Sequence, residues 1–122
     1  LAYRVKAHLR RSSYLMEPLK EEVLEFGPFI MNVNGGTLLK NGKPIDLKPK
    51  ELKILEYLVR NANQIKTKEQ IYDNVWGEEY IGDDNTIMVH IRRLRKKIED
   101  NPSNPKYILT IKGLGYKFSM RE

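Results

Sequence analysis

The run Asp84-Asn85-Thr86-Ile87-Met88-Val89-His90-Ile91-Arg92-Arg93-Leu94-Arg95-Lys96-Lys97-Ile98 constrains this chain more than any other stretch. Ile87, Ile91, Leu94 and Ile98 recur at steps of four, three and four. At about 100° per residue they line one side of a helix. The opposite side carries Asn85, Val89, Arg92, Arg93 and Lys96, with Arg95 and Lys97 on its flanks. No acidic residue stands between Asn85 and Lys97. Asp84 is placed to cap the first turn and to meet the positive end of the helix dipole. Solvated helix faces normally interleave Glu with Lys or Arg at four-residue spacing, and this one does not. A helix fastened on one side with an acid-free basic face on the other suits the major groove of double-stranded DNA.

The chain has 122 residues, enough for one domain with a single core plus an appendage. A formal net charge of +6 fits a polyanionic partner without naming one. With no cysteine there is no disulfide framework and no thiolate nucleophile or metal ligand. No run approaches 18 apolar residues and no signal peptide opens the chain, so a cytoplasmic protein without membrane attachment is expected. The first residue is Leu rather than Met, which reads as a fragment or a processed chain.

Taken in order, residues 1–11 place Leu1, Val5 and Leu9 at four-residue steps and read as a short amphipathic helix. Residues 12–21 mix Ser, Pro and charge and read as a linker, so the main domain is expected over 22–122. Short strands follow, broken by Gly27-Pro28, Asn34-Gly35-Gly36 and Asn41-Gly42, the last a strong hairpin signal. Pro49 then opens a helix predicted over residues 49–61, with Leu52, Leu55, Val59 and Ala62 on its apolar side. Thr67 and Gln70 form a capping box for a second helix that Gly77 ends. After the basic helix, Asn101-Pro102-Ser103-Asn104-Pro105 is irregular. Residues 107–111 and 116–119 then pair about the Lys112-Gly113-Leu114-Gly115 turn. The predicted fold is α+β: a four-stranded antiparallel sheet, three helices and a β-hairpin wing, which is a winged helix-turn-helix.

The residues 86–97, Lys112-Gly113-Leu114-Gly115-Tyr116-Lys117-Phe118, Leu47-Lys48-Pro49-Lys50-Glu51-Leu52 and Val75-Trp76-Gly77 together resemble the signature of OmpR/PhoB-type response-regulator output domains. The resemblance spans residues 22–121. It implies a transcription factor switched by a sensor histidine kinase acting on a receiver domain, whose last helix residues 1–11 resemble. It further implies a dimer on direct DNA repeats, a recognition helix in the major groove and a wing at the minor groove. The loop at residues 77–83, with Glu78, Glu79, Tyr80 and Asp83, is implied to touch RNA polymerase.

Arg93 stands opposite the core stripe and is the first candidate for base contact, since a guanidinium can be bidentate to guanine O6 and N7. Val89 is either a thymine-methyl contact or a tolerated surface valine. Arg92, Arg95, Lys96 and Lys97 are candidate phosphate grips. His90, on the flank, is either a phosphate donor or a packed ring. No second ligand stands three or four residues from it, so no metal is expected. Asn85 and Thr86 at the helix start are candidate phosphate contacts, Thr86 equally a second cap. Thr110 and Lys112 are the wing contacts, Lys112 on the resemblance. The family often has Arg at Lys112 and at Asn85, and a polar residue at Met88, which is either core margin or an interface residue. Lys is the less suited to a narrow groove.

Two other readings compete with DNA binding. One is a winged helix serving as a protein-interaction module that contacts RNA polymerase or a partner domain, carried by the acidic loop and the N-terminal helix. The other is an enzyme. Only His8 and His90, no glycine-rich phosphate loop and no paired-carboxylate cleft argue against that, and no cofactor is expected.

Overall fold

Turn residues cut the first half of the chain into short strands, and a change of hydrophobic period turns the second half helical. The computed structural model describes residues 6–11, 20–77 and 84–120. Strands β1 (Lys6–Arg11), β2 (Lys20–Phe26), β3 (Phe29–Asn32), β4 (Thr37–Lys40) and β5 (Lys43–Ile45) form one antiparallel sheet in chain order. Helices α1 (Pro49–Arg60), α2 (Lys68–Trp76) and α3 (Asp84–Ile98) follow, and β6 (Ile108–Ile111) and β7 (Gly115–Phe118) make a separate hairpin. The β2–β5 meander, three helices and C-terminal hairpin are the winged helix-turn-helix that the sequence predicts.

The N-terminal segment departs from expectation. Lys6–Arg11 is a strand, not a helix, and pairs with β2 so that Ala7 faces Leu24 and Leu9 faces Glu22. The sequence there also alternates with period two, and the open edge of β2 offers ladder partners for its backbone. A lone helix of that length has no such partner and is marginal in water. Lys20 and Glu21, expected in the linker, open β2 instead. Residues 1–5 and 12–19 lie outside the described residues, as do the greater parts of the expected linker and of the loop at 77–83.

The sheet is one-faced. Phe29 and Met31 are buried on either side of exposed Ile30, as strand alternation requires. That face, with Leu24, Phe26 and Leu38, meets Ile54, Leu55 and Leu58 of α1 and Ile71 and Val75 of α2 in one core. The α3 stripe completes it: Ile87, Ile91, Leu94 and Ile98 are each no more than 1% exposed. Each such side chain contributes roughly 1.5–3 kcal/mol relative to leaving it in water. Asn41 and Gly42 take φ of 54° and 82°, the left-handed pair that a two-residue hairpin demands.

Local chemistry sets the helix ends. Thr67 Oγ1 accepts from Gln70 N at 3.0 Å while Gln70 Oε1 accepts from Thr67 N at 2.9 Å, the predicted capping box. Gly77 closes α2 in the left-handed conformation, its N–H donating to Asp73 O. The connector between α1 and α2 also holds the hairpin. Lys66 N donates to Tyr116 O at 2.8 Å, and Tyr116 N returns to Lys66 O at 2.9 Å. That close approach needs a residue without a side chain at Gly115, where a Cβ would stand 2.1 Å from Lys66 O.

Candidate nucleic-acid interface

The basic helix α3 is seated from below and clamped at its C-terminal end. Glu51, third residue of α1 and fully buried, accepts from Lys48 N at 3.0 Å and from Lys97 Nζ at 2.8 Å through the same oxygen, Oε1. Its Oε2 has no hydrogen-bond partner. Burial works to raise the Glu51 carboxyl, but the Lys97 ammonium and the Lys48 N–H hold it below the ordinary carboxylate value. Just past the helix, Glu99 accepts from Lys106 N, Tyr107 N and Ile108 N at 2.7, 3.0 and 2.8 Å. Lys40 reaches from β4 to Ile98 O at 2.7 Å and to Asp100 Oδ1 at 2.8 Å. The end of α3 is thereby fixed to the sheet on one side and to the start of β6 on the other.

What the clamps leave outside is cationic. Arg92, Arg93 and Lys96 are exposed and make no hydrogen bond or ion pair among the described residues. Val89 lies among them at 42% exposure. Asn85 is exposed and Thr86 half-buried at the first turn. Met88 is half-exposed on the flank that it shares with Arg92 and Arg95, which removes it from the core margin.

Three expected phosphate grips are engaged within the fold. Arg95 donates to Ile108 O from Nε and Nη2 at 3.1 and 2.9 Å, and from Nη2 to Thr110 Oγ1 at 2.7 Å. Its guanidinium also lies 5.9 Å from the centre of the Tyr116 ring. Burial pushes Arg95 below the usual arginine value, but a guanidinium stays charged throughout the ordinary pH range. Arg95 therefore joins recognition helix to wing, and Thr110 spends its hydroxyl oxygen on that bond. Lys97 is bound to Glu51. His90 Nδ1 lies 2.7 Å from Thr86 O and so donates to it, while the ring meets Trp76 edge-on at 5.1 Å. The ring is thus packed within the fold on its Nδ1 side.

Lys112 remains exposed at the tip of the wing. Beside it Leu114 is 58% exposed, more than any other large apolar side chain described. Leu114, an apolar residue inside a polar turn, is a signal visible in the sequence. The roles of Glu51 and Glu99 are not, because their partners lie 46 and seven to nine residues away, beyond any local pattern. Glu78, Glu79, Tyr80 and Asp83 lie outside the described residues. Among the described residues no group of three or more His, Asp or Glu is placed to hold a metal. None of the described helices is long and apolar enough to cross a membrane.

Residues 42–118 match the family described as Transcriptional regulatory protein, C terminal. The sensory transduction protein RegX3 of Mycolicibacterium smegmatis is 45% identical over 118 residues, covering 96% of this chain and 52% of that protein. The chain thus spans about half the length of the curated relatives it matches. Among solved structures, the response regulator DrrB of Thermotoga maritima, an OmpR/PhoB homolog, superposes with a TM-score of 0.72 at 36% identity. That match covers 80% of this chain and 44% of DrrB. The DNA-binding domain of Klebsiella pneumoniae RstA, solved in complex with the RstA box, gives 0.74 at 30% identity, covering 80% of this chain and 96% of that one. On sequence and fold together, this chain belongs to the C-terminal domains of transcriptional regulatory proteins, the winged helix-turn-helix family of the OmpR/PhoB regulators.

Proposed function

We propose that the chain binds specific double-stranded DNA sequences as the output part of a longer two-component response regulator. The carrying observation is the division of α3: one side wholly buried, the other presenting Arg92, Arg93 and Lys96 without a counter-charge among the described residues. A fold that leaves three cations unpartnered around a small apolar side chain is complementary to a groove walled by phosphates. In this reading Arg93 and Val89 address base edges. Arg92 and Lys96 grip phosphate, with Asn85 and Thr86 at the helix start and Lys112 at the wing. Arg95 and Lys97 position rather than contact. The RstA complex with its box supports the reading, because that domain has the same fold at 30% identity.

The parent protein's wider behaviour belongs to the same proposal. A receiver domain phosphorylated by a sensor kinase would precede this chain, in keeping with relatives about twice its length. Dimerisation on direct repeats, contact of the 77–83 loop with RNA polymerase, a cytoplasmic location and the absence of catalysis complete it. The test is binding to genomic duplex fragments at several salt concentrations. About 6 phosphate contacts give a log–log slope of about −5, and a flat response overturns the proposal.

A further inference from the structure

Arg92, Arg95 and Lys96 line one wall of a notch of about 240 Å³ whose other wall is Pro102 and Ser103, from the loop joining α3 to β6. No carboxylate lines it. Of the two acids just past the helix, Glu99 is buried and turned onto three backbone N–H groups of the next segment, and Asp100 is paired with Lys40. Three like charges around one concavity repel each other, and an anion placed among them relieves that repulsion. Arg92 and Lys96 have no acceptor among the described residues.

The loop wall is prebuilt. Lys40 holds its entrance through Ile98 O and Asp100, and Glu99 holds its exit. Within it, Ser103 N donates to Asn101 Oδ1 at 3.1 Å, and Asn104 N donates to Asn101 O at 2.9 Å. Pro102 and Pro105 stiffen what remains. Ser103 is therefore held against the cationic wall without using its own hydroxyl, and little ordering cost is left for binding.

We infer that this notch is a seat for one DNA backbone phosphate, gripped by Arg92 and Lys96 from the helix and by the Ser103 hydroxyl from the loop. The inference rests on the DNA-binding reading and adds to it a contact from the α3–β6 loop, on the wing side of the recognition helix. The seat takes a phosphodiester and carries no sequence information itself. It sets the depth and register at which Arg93 meets the bases.

The experiment compares two charge-identical variants, Ser103→Asp and Asn104→Asp, on a duplex selected by the chain from a random library. Both positions are exposed in the same loop, but only Ser103 lines the notch. Ser103→Asp is expected to weaken binding by about tenfold or more, and Asn104→Asp by no more than about twofold, since a long-range charge is screened. Equal losses overturn the seat. A second measurement replaces single phosphates with methylphosphonates. One position is expected to cost the parent chain affinity but cost nothing further in Arg92→Gln, and losses that simply multiply at every position overturn the seat. Inorganic phosphate is expected to compete no better than chloride at matched ionic strength. Selective competition at low millimolar phosphate marks a free-anion site instead. If the parent chain shows no salt-dependent binding to any duplex, the DNA reading itself falls and takes the seat with it.

Discussion

Glu51 on the first helix and Lys97 on the recognition helix are joined Oε1 to Nζ at 2.8 Å, with the carboxylate wholly inside the protein and the ammonium partly outside it. This pair ties the first turn of one helix to the last turn of another.

Removing the ammonium strands a buried charge. Lys97→Met is expected to cost about 2 kcal/mol, read as a fall in thermal midpoint of about 10 °C. Glu51→Gln, which keeps a group for the Lys48 N–H, is expected to cost less. The two variants also separate by pH. Because Glu51 binds its proton less readily folded than unfolded, its contribution is fully present above the ordinary carboxylate value of 4.5 and lost as pH falls through its lower folded value. Acid titration of stability is therefore expected to be shallower in Glu51→Gln than in the parent chain. Identical acid limbs would show that the pair adds no pH dependence.

Arg95→Lys tests the link between helix and wing. Lysine keeps the charge but cannot hold Ile108 O and Thr110 Oγ1 together with one planar fork. The expected result is faster amide exchange across β6 and β7, with about 1 kcal/mol lost in stability. DNA affinity should fall while base preference is kept. Unchanged exchange in the hairpin would mean that the Lys66–Tyr116 backbone bridge holds the wing alone.

Arg93 and Lys96 should fail differently. Arg93→Ala is expected to lose discrimination at its own base position by about 1–3 kcal/mol, whereas Lys96→Ala should weaken all duplexes alike and reduce the salt slope by about 1. Site selection followed by competition binding reads both effects. Matching profiles for the two variants would place Arg93 on phosphate.

Two glycines with positive φ make a matched pair for stability. Gly115→Ala forces a Cβ to 2.1 Å from Lys66 O at a φ of 152°, so the connector–wing bridge must open. A loss of about 3 kcal/mol or more is expected. Gly77→Ala meets nothing within 4 Å and carries only the strain of a φ of 73°, for about 1 kcal/mol. Thermal melts should rank them in that order.

The sequence announced some elements plainly. Ile87, Ile91, Leu94 and Ile98 sit at a helix's own spacing, and all four are buried. Asn41-Gly42 and the Thr67–Gln70 box are likewise local devices whose chemistry needs only adjacent residues, and each forms as predicted. Lys6–Arg11 fits periods of four and of two alike, and the choice falls to an edge of β2 that no local pattern contains.

The interface divides along the same line. Which residues of α3 face away from the core follows from helical geometry, so Arg92, Arg93, Lys96 and Val89 were identifiable by counting. Which cations stay available is another matter, because charge in sequence says nothing of distant acceptors. Arg95 is taken by a strand carbonyl 13 positions on, and Lys97 by a carboxylate 46 positions back. Sequence alone therefore determined the elements from β2 to β7, their order and the outward face of the recognition helix, since these depend on period and on neighbours along the chain, whereas β1 was decided by the sheet edge it pairs with. Only the tertiary structure decided which basic residues are spent on holding that helix and its wing, because a cation's partner is chosen by proximity in space and by what burial leaves unsatisfied.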